Sequence, residues 1–439
     1  MYRTISEASK AIQSGAITPV ELLQQCLARI DELEDQVHAW VMVAREEALE
    51  QARRLGDELT DGRYRGPLHG IPIGVKDIFD VFDWPTGCGS KLWANSYARQ
   101  DCPVVDSLRK AGAVLMGKTV TTAYASFDPP PTRNPWDRNR TPGGSSSGSA
   151  AAIAAEMCLG ALASQTGGSI TRPASYCGVC GLKPSYGSVN ADGVMPLAPS
   201  MDHVGVMGNC VRDLAVQFEA IAYVGVDATG SVDQRLADDR PPRLRFLTGM
   251  FESMADPLIR ESMAAAAKKW AGDGAEIETV APPAVFAEIL HHHRVIMATE
   301  AATFHGSRMR RHPEDYPPKI RSLIEEGMRY TAPEYNVAWR QRDVARQAIE
   351  RAFDFEIAVL VAPATTCLPP DASTTGDPAF NSPWSFTGLP VVSIPIAWTP
   401  KGLPIAVQFI GRHFTDSALL SYAAWCERSL ALTPRRVTV

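Results

Sequence analysis

Two serine-rich, glycine-backed segments and one lysine carry the residue types that could do chemistry in this chain. The first segment is Gly143-Gly144-Ser145-Ser146-Ser147-Gly148-Ser149 and the second is Gln165-Thr166-Gly167-Gly168-Ser169. Lys76 ends the apolar stretch Ile71-Pro72-Ile73-Gly74-Val75. Together they can supply a hydroxyl nucleophile, a second hydroxyl as relay, an amine base and a row of unobstructed backbone N–H donors. Those are the parts needed to attack a carbonyl and hold the resulting oxyanion. A serine hydroxyl is a weak nucleophile until a neighbouring base takes its proton. Lysine can be that base only when neutral, so its pKa must fall from about 10.4 towards neutrality, a shift that burial behind an apolar strand can supply. A hydroxyl both donates and accepts, so one serine can stand between the lysine and another serine. Neither serine segment contains a histidine, so a serine–histidine pair is not the first reading.

Other motifs compete for attention. Gly144-Ser145-Ser146-Ser147-Gly148 formally satisfies G-x-S-x-G, which would make Ser146 a nucleophile, but residues 134–142 read as loop where that motif needs a strand. Ser107-Leu108-Arg109-Lys110 matches S-x-x-K inside an ordinary surface-helix pattern. Cys177-Gly178-Val179-Cys180 is a single C-x-x-C without a second pair, and reads as two small buried thiols before it reads as a metal or redox site. His291-His292-His293 cannot all face one side of a helix. Lys183 reads as structural. No metal and no cofactor is expected. An isolated Gly-Gly-Ser is more often a tight turn than an anion hole, and only the company of the other blocks changes that weighing.

Several segments taken together resemble the amidase signature family. They are Gly66-Pro67-Leu68-His69-Gly70-Ile71-Pro72 leading to Lys76-Asp77, the two serine segments, Tyr176-Cys177-Gly178 through Lys183-Pro184, Ser200-Met201-Asp202-His203-Val204-Gly205, and Gly402-Leu403-Pro404 to Gln408. Their order and gaps agree as well as their words, over nearly the whole chain. The resemblance implies a Ser–Ser–Lys triad: Ser169 acylated, Ser145 in the middle on a cis peptide, and Lys76 as the ultimate base. It implies an oxyanion hole from Thr166, Gly167 and Gly168, with Gly144 and Arg172 on the substrate side. It also implies hydrolysis of a C–N bond in a small amide, extending to carbamates or esters because only the leaving group changes. Two departures stand out. Gln165 occupies a position where many members have aspartate, and Arg172 lies one place beyond the commoner arginine. The shifted arginine resembles a malonamidase-like bacterial branch in which it holds a substrate carboxylate; the competing reading is an arginine that ties its own loop together. The alternatives are a glutaminase subunit of a tRNA-dependent amidotransferase, from whose branch Gln165 and Thr171 depart, and a non-catalytic small-molecule binder on the same fold.

These residues must be positioned by alternating helices and strands. Thr18-Pro19-Val20-Glu21 reads as a capping box opening a helix that carries Leu22, Leu23, Cys26, Leu27, Ile30 and Leu33 at helical spacing. A charged helix covers residues 45–59. Short strands are expected at 71–75, 113–116, 244–247, 276–280 and 357–361, with helices dominating 285–353 and a final apolar segment at 403–410. The all-small run at 150–155 is a strong helix former that must pack closely. Residues 227–242, polar and proline-bearing, read as a linker. Tyr124, residues 285–310 and 370–384 are candidate pocket walls, and Trp384 and Phe386 read as core before pocket. The pattern favours an α/β fold, with a mixed, twisted central sheet covered by helices on both faces. It is read as a single domain over 1–439: an N-terminal helical part (1–60), a catalytic core (61–225), and the remainder of the sheet with the pocket helices (226–439).

Bulk properties narrow the class. The chain has 439 residues, 45% of them hydrophobic, a formal net charge of −6 and no basic block, which argues against nucleic acid as a partner. The first residues lack an apolar signal-peptide core, and the longest small, apolar run is too short to span a bilayer. Nine scattered cysteines fit reduced thiols, so a cytoplasmic protein is expected. The expected partner is a small-molecule amide or carbamate, with no membrane; a homodimer is left open.

Overall fold

The computed structural model describes residues 2–223, 231–353, 358–433 and 435–438. Eleven strands among them form one mixed sheet. In chain order they are β1 (Trp40–Val43), β2 (Pro72–Lys76), β3 (Val114–Thr119), β4 (Gly160–Gln165), β5 (Cys180–Lys183), β6 (His203–Gly208), β7 (Arg243–Leu247), β8 (Glu276–Val280), β9 (Ala358–Pro363), β10 (Val391–Trp398) and β11 (Pro404–Ile410). Their spatial order is β1-β3-β2-β4-β6-β5-β10-β11-β9-β7-β8. β2 runs parallel to both β3 and β4, whereas β4, β6, β5, β10 and β11 alternate antiparallel. No described helix is long and apolar enough to cross a membrane.

Burial explains which strands were legible. Every residue of β2 to β6, β9 and β11 is buried, so both sheet faces are covered. Edge strand β8 is mostly exposed. β4 (Gly-Ala-Leu-Ala-Ser-Gln) and β5 (Cys-Gly-Leu-Lys) contain no β-branched residue, and nothing local marks them as strands. Burial between two layers decides their conformation. The expected strands near 71–75, 113–116, 244–247 and 276–280 appear as β2, β3, β7 and β8; Ile357, the first residue of another, lies outside the described residues.

The capping box is present. Thr18 Oγ1 accepts from Glu21 N at 3.1 Å, Glu21 accepts from Thr18 N at 2.8 Å, and the helix Pro19–Val37 follows. A similar box at Thr4 opens the helix Ile5–Gln13, which the sequence reading passed over. The all-small helix, Ser147–Ala154, is wholly buried. A Cβ on Gly148 would lie 2.2 Å from the carbonyl oxygen of Ala39, so only glycine allows the helix to approach β1 and β3 this closely. The proposed linker is partly structured: Ser231 caps a short helix, Val232–Leu236, whose Val232 and Leu236 are buried. Residues 224–230, which include the 225/226 boundary, lie outside the described set.

Candidate active site

The carboxyl ends of parallel strands β2 and β4 form the floor of the site, the usual place for chemistry in an open α/β sheet. Lys76 is the last residue of β2 and has no exposed surface. Its Nζ donates to Ser145 Oγ at 2.8 Å and to Ser164 Oγ at 2.8 Å. Burial pushes its pKa from 10.5 down to about 7, against the opposing pull of the Asp202 carboxylate. A large fraction of Lys76 is therefore neutral and able to accept a proton near pH 7.

Ser145 precedes the buried helix Ser147–Ala154, and the Gly144–Ser145 peptide is cis. The other serines of this segment are engaged with backbone. Ser146 Oγ donates to the Ser164 carbonyl, Ser147 Oγ to that of Gly143, and Ser149 Oγ to that of Leu162. Ser146, fully buried and bonded along β4, has the surroundings of a strut.

Ser169 follows the loop after β4. At 8% exposure it is more accessible than Lys76 or Ser145, both at 0%. Its carbonyl accepts from Ser146 N at 3.4 Å. The structure thus joins Lys76 directly to Ser145, while among the described residues no hydrogen bond joins the Ser145 and Ser169 side chains.

The intervening loop is held from several sides. Gln165 Oε1 accepts from Ile170 N at 2.9 Å, Thr171 N at 3.0 Å and Thr171 Oγ1 at 3.2 Å, covering the start of the helix Thr171–Cys177. Thr166 Oγ1 donates to Asp202, whose other oxygen accepts from Leu197 N and Ala198 N. The Thr166 carbonyl accepts from His293 Nε2 at 2.9 Å, and that of Gly167 from Ser385 Oγ at 3.0 Å. Among the described residues, the N–H groups of Gly167, Gly168 and Ser169 donate to no protein acceptor. A Cβ on Gly168 would come 2.7 Å from Asn381 Oδ1, so side chains pack against the loop's outer face.

Arg172 is 1% exposed, and its Nη2 donates to the Gly144 carbonyl at 2.7 Å. Its Nε and Nη1 are buried without a partner, and burial lowers its pKa to about 10. No salt bridge reaches it among the described residues. Arg172 thus ties to the backbone carbonyl before Ser145, with two donor nitrogens left over.

A cavity of about 190 Å³ lies between Ser164, Thr166, Asp202, Ala125 and Met195. A larger groove, about 900 Å³, lies around Glu47, Asp80, Arg99 and Arg109 and includes none of the residues above. Tyr124 is buried, its hydroxyl within hydrogen-bond reach of both Ser90 Oγ at 3.0 Å and the Asp315 carboxylate. Trp384 and Phe386 are fully buried, with Trp384 stacked on Phe251 at 5.6 Å: core, as the sequence favoured. Lys183 Nζ donates to the Pro184 carbonyl, and Cys177 and Cys180 are buried thiols. The three histidines diverge: His293 faces Thr166, whereas His292 lies 3.5 Å from Glu288.

Sequence reasoning gave no role to Ser164, Asp202, His293 or Ser385. The available signal was weak: a polar residue inside an otherwise apolar or small-residue segment, as Ser164 is in β4.

The sequence profile of the family described as Amidase matches residues 21–420. A glutamyl-tRNA(Gln) amidotransferase subunit from Syntrophus aciditrophicus (strain SB) is 32% identical, over 99% of this chain and 98% of its own length. The AmiD protein of Mycobacterium tuberculosis (strain ATCC 25618 / H37Rv) is 33% identical, over 95% of this chain and 92% of its own. Among solved structures, one is a chain from a vestigial protein complex described as revealing the evolutionary origins of an s-triazine catabolic enzyme. It superposes with a TM-score of 0.89 at 30% identity, covering 99% of this chain and 100% of its own. Native peptide amidase from Stenotrophomonas maltophilia superposes with a TM-score of 0.84 at 26% identity, covering 99% of each chain.

Proposed function

The chain belongs to the amidase family, and from that premise we propose that it cleaves a small amide through an acyl-enzyme on Ser169. It is an amidohydrolase acting on C–N amide bonds. The observation that carries the mechanism is a fully buried Lys76, lowered to about pKa 7 and bonded to the Ser145 hydroxyl. Neutral Lys76 takes a proton from Ser145 as Ser145 takes one from Ser169, and Ser169 Oγ attacks the amide carbon. The N–H groups of the 166–169 loop hold the oxyanion. The proton returns through Ser145 to the leaving nitrogen, the C–N bond breaks, and water hydrolyses the ester by the same relay in reverse. Carbamates and esters fit the same steps with a different leaving group.

The two unpartnered guanidinium nitrogens of Arg172 favour a second specification, an amide that also bears a carboxylate. A buried cation with unmet donors gains from an anionic partner, and a bidentate guanidinium–carboxylate pair supplies one. Some relatives are amidotransferase subunits, so glutamine belongs among the trial substrates.

One experiment covers both parts. Wild type, Ser169→Ala and Arg172→Ala are screened on neutral amides, anilides, carbamates, glutamine and half-amides of diacids, reading released amine or ammonia. The acyl or phosphonyl adduct is mapped by mass spectrometry. The expected outcome is an adduct on Ser169, no turnover by Ser169→Ala, and a loss in Arg172→Ala of about ten- to a hundredfold confined to half-amides. An adduct on Ser146 sinks the mechanism. Equal losses on neutral and anionic amides remove Arg172 from substrate binding.

A further inference from the structure

We infer that His293, together with the Gln165–Ser385 pair, orients the oxyanion hole by holding the Thr166 and Gly167 carbonyls outward. The inference rests on the reading of Ser169 as nucleophile and adds the residues that aim the donors around it.

In a trans peptide the carbonyl of one residue and the N–H of the next point in opposite directions. Fixing the Thr166 carbonyl therefore fixes the Gly167 N–H, and fixing the Gly167 carbonyl fixes the Gly168 N–H. These are the N–H groups that have no protein acceptor. The sequence here needs such a restraint: two consecutive glycines lack the side chains that would limit rotation, so a flipped peptide is accessible. A flip would present a carbonyl oxygen where the reaction needs an N–H.

Each restraint comes from the second half of the chain. His293 lies on the long helix Ile289–Arg311, is 4% exposed, and has its pKa lowered to about 4 by burial. It is therefore neutral at pH 7. Because a carbonyl can only accept, Nε2 must carry the proton and donate. Ser385, fully buried in the short helix Ser382–Thr387, donates its only hydroxyl proton to Gly167. That direction is enforced by Gln165, whose Nε2 donates to Ser385 Oγ at 3.2 Å. The other end of the same amide is committed to Ile170 and Thr171, so it cannot turn round. A carboxylate at position 165 would instead draw the Ser385 proton away from Gly167. The glutamine, a departure at the sequence level, thus acquires a task as a positioning residue.

The test measures the rate of Ser169 phosphonylation by a fluorophosphonate probe, alongside kcat and KM on the best amide from the screen. His293→Leu, Ser385→Ala and Gln165→Glu are expected to lose roughly ten- to a hundredfold in labelling rate and kcat, with KM within about threefold, since removing a donor outright costs about 10²–10³. His293→Gln, which keeps an N–H at the Nε2 position, is expected to recover most of the His293→Leu loss. Thermal melts check folding, and Ser385→Ala, which removes one oxygen, carries the test if His293→Leu does not fold. Wild type labelled on Ser169, with these variants equally fast, overturns this inference alone. Loss of kcat in His293→Gln as large as in His293→Leu also overturns it. Wild type labelled elsewhere than Ser169 overturns this inference and the acyl-enzyme reading together.

Discussion

A lysine without exposed surface is costly when charged, because burial removes the water that solvates its ammonium. Lys76 is in that position, and its pKa is lowered to about 7. Between about 7 and 10.5 the unfolded chain holds a proton that folded Lys76 has released, so this residue's contribution to stability rises with pH across that window. Below about 7 the full penalty is present. Lys76→Met removes the titration, and the melting temperature of the variant minus that of wild type should therefore fall as pH rises from 7 to 10. In the proposed relay activity runs with the neutral form: the acylation rate of wild type should climb through an apparent pKa of about 7, and Lys76→Met should be inactive throughout. An acylation rate flat from pH 5 to 9 in stopped-flow measurements would contradict a lysine base. The amine, both hydroxyls and the glycine loop of the proposed site stand out in the sequence because the chemistry restricts residue type. Ser164 was not, since a serine in a small-residue strand carries no mark of what lies beside it.

At the scale of elements, the end of β2 is fixed by a buried ion pair. Lys118 Nζ on β3 lies 3.0 Å from Asp77 Oδ1, the residue after Lys76, and also donates to the Pro85 carbonyl at 2.9 Å. Both side chains are almost wholly buried. Removing one partner of such a pair strands the other charge in the interior, at a cost of about 3–5 kcal/mol. Lys118→Met should thus lower the urea midpoint by an amount corresponding to that range, and adding Asp77→Asn should recover much of it. A Lys118→Met protein as stable as wild type would show that the pair does not hold the strand end. The two carboxyl-terminal strand ends that carry Lys76 and Gln165 are neighbours only through the sheet. The apolar run of β2 announced its strand, while β4, made of small residues, did not.

Across the whole molecule, the two halves of the chain share one sheet. β5 pairs with β6 on one side and with β10 on the other, Val391 opposite Lys183 and Val392 opposite Leu182. A fragment of residues 1–223 contains Lys76, Ser145 and Ser169 yet leaves β5 with an unpaired edge and lacks His293 and Ser385. Expressed alone, it is expected to be insoluble or unlabelled by a fluorophosphonate; co-expressed with residues 231–439 it should regain labelling. A soluble, labelled 1–223 fragment would show that the first half completes the site unaided.

The amino-acid sequence alone determined the fold class and marked out the candidate parts of the site, because reactive residue types, glycine runs and apolar periodicity are local properties of a chain. Lys76, Ser145, Ser169 and the strand before Lys76 belong to that set. Tertiary structure decided what each part touches: that Lys76 meets Ser145 and Ser164, that Arg172 binds a carbonyl and keeps two free donors, and that His293 and Ser385 reach back to a loop well over a hundred residues earlier. Those outcomes depend on burial and on contacts between segments distant in sequence, and neither leaves a periodic trace along the chain. The hydrogen bonds at Thr166 and Gly167 exist only because folding brings the second half of the sheet alongside the first.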